Sequence, residues 1–137
     1  MIPRFRVLLI AVCAFTLWSV TRPAEVPFKK SMISDGAAET VAFADINKDG
    51  KLDIVSGEYW YEAPAWTPHR FRELKFQNGY IANFCDLALD INKDGYPDIV
   101  SCLGFDNRLV WMENPGKRGG PWREHTIDRL PLGDRQA

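Results

Sequence analysis

Two segments of the chain are nearly the same, and they lie 45 residues apart. Val41–Ser56 reads VAFADINKDGKLDIVS and Asp86–Ser101 reads DLALDINKDGYPDIVS, so the runs DINKDG and DIVS occur in both. A fixed period of about 40–45 residues is typical of a propeller blade or a related array unit. This repeat limits the chain to architectures in which similar units pack beside one another.

Each unit contains four short runs rich in β-branched and aromatic residues, separated by Gly, Pro and Asn. Such runs predict β-strands. The predicted strands of the first unit are Thr40–Ala44, Leu52–Ser56, Tyr59–Glu62 and Arg70–Phe76, and those of the second are Phe84–Leu89, Pro97–Cys102, Arg108–Glu113 and Trp122–Ile127. Four strands in about 45 residues make up one blade of a β-propeller.

The predicted fold is therefore all-β, with two four-stranded antiparallel propeller blades at about residues 40–76 and 84–127. Phe28–Ile33 resembles the fourth strand of a unit, and we expect it to form an N-terminal outer strand. Propellers typically close with about four to eight blades. Because two blades alone would leave an apolar face uncovered, we expect the chain to form part of a larger propeller or to close by self-association.

The N-terminus has the pattern of an export signal. Arg4 and Arg6 precede Val7–Val20, which runs fourteen residues without a charge. A membrane span needs about 20 apolar residues, so this run fits a signal peptide better than a transmembrane helix. We interpret residues 1–24 as a signal peptide and residues 25–137 as a partial propeller that is secreted or periplasmic, with no membrane span after signal removal.

The charge of the remaining chain excludes one class of partner. Loss of residues 1–24 removes three arginines and lowers the net charge from −1 to −4. A protein that coats nucleic acid needs a positive excess to displace counterions, so no nucleic-acid partner is expected. The mild acidic excess suits cation binding.

The shared DINKDG segments have the composition of a metal-binding loop. Aspartate or asparagine stands at positions 1, 3, 5 and 9 of each loop, with glycine at position 6 to permit a sharp turn. The residue at position 7 would contribute its backbone carbonyl. The predicted ligands are Asp45, Asn47, Asp49, Lys51 and Asp53 in the first loop and Asp90, Asn92, Asp94, Tyr96 and Asp98 in the second. An all-oxygen set of this kind favours Ca²⁺.

The loop sequences also resemble those of two other structures. An EF-hand requires a glutamate at position 12 and flanking helices, whereas Ser56 and Ser101 stand there between predicted strands. The EF-hand is therefore rejected. The other alternative is a pair of Asx-type turns without a metal, since Asp, Asn and Gly also form ordinary hairpin turns.

The loops and the segments that follow them resemble the FG-GAP-like (VCBS-type) repeat. The resemblance rests on DINKDGKLDIVSG and DINKDGYPDIVSC, each followed by a Trp-containing strand, and it covers about residues 26–128. It implies calcium-binding blades of an extracellular propeller. The Phe-Gly and Gly-Ala-Pro elements that name the family are absent, which favours secreted repeat proteins over integrin-like ligand binding.

Other chemically versatile residues receive structural interpretations. His69 and His125 are expected on the fourth strands, at non-equivalent and solvent-exposed positions. The tryptophans are expected to fill the space between blades. Cys85 and Cys102 flank the second loop and are expected to approach each other.

The predicted function is a calcium-binding, non-catalytic module for binding or scaffolding, with an extracellular protein or a carbohydrate as its ligand. No catalytic residue is assigned. The alternative is a fragment of a secreted carbohydrate-active propeller enzyme of the sugar dehydratase or lyase type, in which such blades also occur.

Overall fold

The computed structural model describes residues 26–129. The chain divides into two compact units, Met1–Ser31 and Met32–Ala137. In the first unit the described residues, 26–31, have no regular secondary structure. Every strand of the described part of the chain lies in the second unit. The predicted signal peptide, residues 1–24, lies outside the described residues.

Ten strands and two short 3-10 helices, Gly104–Asp106 and Gly116–Arg118, follow one another along the second unit. The strands are β1 (Ala42–Ala44), β2 (Asp53–Ser56), β3 (Tyr59–Glu62), β4 (Thr67–Arg70), β5 (Phe76–Gln77), β6 (Tyr80–Ile81), β7 (Cys85–Leu89), β8 (Asp98–Leu103), β9 (Arg108–Glu113) and β10 (Arg123–Arg129).

The strands form three antiparallel sheets. Sheet A has the order β1-β2-β3-β4, sheet B has the order β7-β8-β9-β10, and β5 and β6 form a separate hairpin. Because consecutive strands are neighbours, sheets A and B are both up-and-down meanders. None of these three sheets closes on itself. The all-β class and the two four-stranded antiparallel sheets are thus confirmed.

Buried and exposed side chains alternate along the strands of both large sheets, as they do in sheets that bury one face. β1 and β2 alternate strictly, and β9 buries Val110 and Met112 between less buried neighbours. This period of two arises because a strand sends every second side chain to the same face.

The fourth strand of the first unit was predicted wrongly. It runs from Thr67 to Arg70, whereas the prediction was Arg70–Phe76. Trp66 has a φ of 59° and turns the chain early, so the return strand begins directly after it. Residues 71–75 form no strand, and Phe76 belongs instead to β5, which an Asn78-Gly79 turn joins to β6.

The predicted N-terminal outer strand is also absent. Residues 28–33 have no regular secondary structure, and Phe28 and Met32 are among the most exposed large apolar side chains of the described chain. A single strand forms only where a sheet edge supplies hydrogen-bond partners, and in residues 26–129 no strand pairs with this segment.

The hydrophobic core lies between the two large sheets. The side of sheet A that bears Ala42, Ala44 and Val55 is called its front face, and it packs on the side of sheet B that bears Ile99 and Met112. The latter side is called the back face of sheet B, and Ala88 lies on it as well. Trp60, on the front face of sheet A, and Trp122 pack against the same core. The contact between sheets is therefore front to back.

A buried ion pair joins sheet B to the segment that follows sheet A. Arg72 and Asp86 are 3% and 0% exposed, and the guanidinium donates to both carboxylate oxygens at 2.9 Å. Arg72 Nη1 also donates to Ser101 Oγ (2.6 Å), and Nε donates to the carbonyl of Gly57 (2.7 Å). Arg72 thus links the turn after β2 to β7 and β8 through one side chain.

In residues 26–129 no helix has the length and apolar character needed to cross a membrane.

Candidate metal centre

The turn between β1 and β2 is closed by its own side chains. Asp45 accepts hydrogen bonds from the N–H of Asp49 at Oδ1 (2.9 Å) and from the N–H of Gly50 at Oδ2 (3.0 Å). Asn47 Oδ1 accepts a second bond from the Asp49 N–H (3.1 Å). Gly50 has a φ of 87°, a left-handed conformation that glycine adopts readily. Positions 1, 3 and 5 therefore meet around one tight turn.

The turn between β7 and β8 repeats these bonds. Asp90 accepts from the N–H groups of Asp94 (3.1 Å) and Gly95 (2.9 Å), and Asn92 Oδ1 accepts from the Asp94 N–H (3.0 Å). The sequence repeat is thus also a repeat of hydrogen bonds, atom by atom.

Position 7 distinguishes the two loops. The Lys51 ammonium pairs with Asp49 Oδ2, and the hydrogen bond from this side chain lowers the pKa of Asp49 and raises that of Lys51. In the second loop Tyr96 carries no such charge, and its ring lies against Gly116, where an added Cβ would come within 2.7 Å of the ring. The first loop therefore has a cation of its own, and the second has an aromatic ring.

Position 9 is buried in both loops. Asp53 and Asp98 are 0% exposed. Asp53 accepts from the N–H groups of Ile46 and Ala63 (both 2.9 Å), and Asp98 accepts from those of Ile91 (3.0 Å) and Asn114 (2.8 Å). Desolvation raises the pKa of Asp98 despite these bonds. These carboxylates connect each loop to the residue after the third strand.

The donor chemistry of the loops fits a hard cation. Each loop offers only oxygen atoms, from three aspartates, one asparagine and a backbone carbonyl, and a flexible set of this kind suits Ca²⁺. Within residues 26–129 no three His, Cys, Asp or Glu side chains converge in the geometry of a metal site. In the described arrangement the loop carboxylates accept backbone N–H groups. The ten ligands therefore stay a prediction.

Glu62 holds the asparagine of the first loop. Its Oε1 accepts from Asn47 Nδ2 (3.1 Å), and its Oε2 lies 2.8 Å from His69 Nε2. Because the amide nitrogen of Asn47 is engaged by Glu62, its oxygen faces the loop. In the second loop, Asn92 Nδ2 donates instead to Asp94 Oδ2 (3.1 Å). Only the first asparagine is oriented from outside its loop.

The two histidines occupy equivalent positions, contrary to the prediction. His69 lies opposite Trp60 in the strand register, and His125 lies opposite Trp111. Each imidazole stacks on the paired indole, with ring centroids 4.2 and 4.3 Å apart and ring planes 15° and 14° from parallel. His125 Nε2 lies 2.7 Å from Glu113, as His69 lies beside its own glutamate. Both histidines are half-buried.

A sequence signal for this Trp–His–Glu cluster was present and was missed. Trp66 precedes His69 by three residues, and Trp122 precedes His125 by three. The intervening loop is five residues longer in the second unit. Phe71-Arg72-Glu73 resembles Trp122-Arg123-Glu124, and a comparison that matches these two triplets places the histidines out of phase. Alignment on the W-x-x-H spacing brings them into register.

A cavity of about 530 Å³ opens beside the first loop, between the edges of the two sheets. Its walls include the aromatic rings of Trp60, Tyr96 and Trp122 together with Asn47 and Lys117. Trp122 also packs on Phe71, with ring centroids 4.9 Å apart. Trp60 and Trp122 thus pack between the two sheets, as expected for the tryptophans, whereas Trp111 lies opposite Val100 on the other face of sheet B and stacks on His125.

Cys85 and Cys102 lie directly opposite each other in neighbouring antiparallel strands, and both are free thiols. The expectation that they approach each other is confirmed. Partial burial raises the pKa of the Cys85 thiol.

Comparisons of the chain with protein-family models, curated proteins and solved structures found no match.

Proposed function

We propose that this chain is an extracytoplasmic, calcium-stabilised module of propeller-type blades that serves as a non-catalytic unit for binding or scaffolding. The observation that carries the proposal is the pair of nine-residue loops, which have the same acidic side chains and the same internal hydrogen bonds. Three aspartates in nine residues repel one another, and a divalent cation relieves that repulsion.

The packing of the two sheets supports the blade part of the proposal. Propeller blades are four-stranded meanders that repeat around an axis. Sheets A and B are such meanders, and they contact each other front to back rather than front to front. A front-to-back contact is the kind that can be repeated by further units in the same direction.

The calcium part is tested by titration calorimetry and melting after treatment with EDTA. We expect about two Ca²⁺ ions per chain. At a free Ca²⁺ concentration of a hundred times the dissociation constant, one site stabilises the folded protein by about 2.7 kcal/mol. The melting temperature is therefore expected to rise with Ca²⁺ concentration. A stoichiometry of zero together with unchanged melting would refute the proposal.

Single substitutions assign the ions to the loops. Asp49→Asn keeps the oxygen that accepts the Lys51 N–H and removes the charge, and Asp94→Asn does the same in the second loop. Each variant is expected to bind one ion fewer. Asp35→Asn is the matched control, because Asp35 is exposed and lies outside both loops. Loss of an ion in the control would contradict the assignment.

The second candidate function is a carbohydrate-active protein. It is favoured by the cavity beside the first loop, because aromatic rings with polar neighbours are suited to bind sugars. Incubation with oligosaccharides followed by product analysis separates the two functions. Turnover would favour the enzyme, and unchanged oligosaccharides would favour the non-catalytic module.

A further inference from the structure

The repeat relates the buried face of one sheet to an exposed face of the other. The front face of sheet A bears Ala42, Ala44 and Val55. The residues that correspond to them in the second repeat, 45 positions later, are Leu87, Leu89 and Val100. These three residues define the front face of sheet B, and all three are apolar. They are therefore suited to the same kind of packing.

The front face of sheet B is nevertheless open. Leu87 and Leu89 are 54% and 47% exposed, whereas Ala42 and Ala44 are buried against sheet B. Ile127 and Phe71 are equivalent, since each lies two residues after the histidine of its unit. Phe71 is buried in the core, whereas Ile127 is exposed. Contiguous exposed apolar residues of this kind mark an interaction surface.

The back face of sheet A is its complement. Ala88 and Ile99, on the buried back face of sheet B, correspond to Phe43 and Ile54 on sheet A. Phe43 is 59% exposed, and Val41 on the same face is 55% exposed. The described chain therefore uses one front face and one back face internally. The front face of sheet B and the part of the back face of sheet A around Val41 and Phe43 stay exposed, whereas Tyr61 on that back face is buried.

We propose that the front face of sheet B docks on the back face of sheet A of a second copy of this chain. The proposal rests on the blade arrangement proposed above and names its partner. A contact between two different surfaces is heterologous, and it produces closed rings or open chains rather than two-fold dimers. With two sheets in each copy, about four to eight blades correspond to two to four copies.

The new contact has larger apolar side chains than the internal contact, and it lacks the carboxylate of the internal ion pair. In the internal contact Arg72 pairs with Asp86 of sheet B. The equivalent position in sheet A is Val41, so the back face of sheet A in the second copy has no carboxylate there. The contact is apolar there. We expect the assembly to persist at high ionic strength, because salt screens exposed charge pairs and leaves apolar contacts in place.

The mass of the purified protein, measured by light scattering at several concentrations, tests the proposal. We expect two to four copies, at both low and high salt. Leu87→Lys blocks the front face, Phe43→Lys blocks the back face, and either variant alone is expected to have the mass of one copy. Phe76→Lys is the matched control, since this side chain is exposed and lies in the separate β5–β6 hairpin.

A mixing experiment distinguishes a heterologous contact from any other. The Leu87→Lys copy keeps an intact back face, and the Phe43→Lys copy keeps an intact front face, so an equal mixture is expected to form a complex of one copy of each. Circular dichroism verifies that both variants are folded. A wild-type protein with the mass of one copy at all concentrations, or folded variants that do not combine, would overturn the proposal. Calcium binding is measured separately, so failure of self-association leaves that result intact.

Discussion

Replacement of Arg72 by alanine is expected to cause a large loss of stability. The guanidinium is almost fully buried, and its partner Asp86 is fully buried. Removal of one member of a buried pair leaves an uncompensated charge and costs about 3–5 kcal/mol. Asp86 would still accept bonds from Thr40 (2.6 Å), Asn83 (2.7 Å) and Ser101 (2.6 Å). These remaining donors place the expected loss near the lower limit, about 3 kcal/mol.

This loss converts into a measurable shift. For a domain of about 100 residues, 1 kcal/mol corresponds to roughly 4–8 °C in melting temperature, so Arg72→Ala is expected to melt about 12–24 °C below the wild type. The assay is thermal unfolding by circular dichroism or calorimetry, in EDTA so that metal binding does not contribute.

Arg70 provides a matched control two residues away. Its side chain is 51% exposed and pairs with Glu58 at 3.0 Å, and exposed pairs contribute about 0–1 kcal/mol. Arg70→Ala is therefore expected to melt within a few degrees of the wild type. The double variant Arg72→Ala with Asp86→Asn is expected to be more stable than Arg72→Ala, since the buried charge is gone. Similar shifts for the two arginine variants, or no recovery in the double variant, would refute the reasoning.

Three further predictions concern Glu62, which contacts Asn47 of the first loop, and the two cysteines. Glu62→Ala is expected to lower the Ca²⁺ affinity of the first loop about tenfold or more, because Glu62 orients Asn47. Glu113→Ala is expected to leave the Ca²⁺ affinity of the second loop unchanged. Calorimetry measures the first loop alone in the Asp94→Asn background and the second loop alone in the Asp49→Asn background, and equal losses of affinity would contradict the prediction. Oxidation with diamide is expected to join Cys85 to Cys102 as a disulfide, detected by mass and abolished in Cys85→Ser. Two unreacted thiols after diamide treatment of the folded protein would exclude the disulfide. The pKa of Cys85 is raised and the thiolate is the reactive form. Alkylation of Cys85 at pH 8 is therefore expected to be slower than that of a cysteine with an ordinary pKa, and to accelerate as the pH rises.

The sequence predicted well the features that depend on neighbouring residues. β3 and β9 have the bounds that their runs of β-branched and aromatic residues predicted. The hydrogen bonds within the two loops are those of Asx-type turns, the alternative that the spacing of Asp, Asn and Gly also offered, because each side chain accepts from a backbone N–H two to five residues ahead.

Features set by loop length or by distant contacts were not predictable in the same way. The shortened turn at Trp66 moved β4, and the longer loop of the second unit concealed the equivalence of His69 and His125. The Arg72–Asp86 pair has no local signal, since it joins a residue of sheet B to a segment outside the sheets, fourteen positions away in the chain. The β5–β6 hairpin, in contrast, has a local signal, because its turn residues Asn78-Gly79 are typical of two-residue hairpins. The prediction of four strands per unit did not include this hairpin.

The pairing of Trp with His across the third and fourth strands has a consequence for protein engineering. Eight residues separate Trp60 from His69, and thirteen separate Trp111 from His125, yet both pairs stack in nearly the same geometry. The hairpin tip at this edge of the sheet therefore tolerates a change of length without a change of register. Gly119 and Gly120 lie at the longer tip with open space around them. A foreign peptide grafted between these two glycines would be displayed on the surface while the stacked pair below kept the strands aligned.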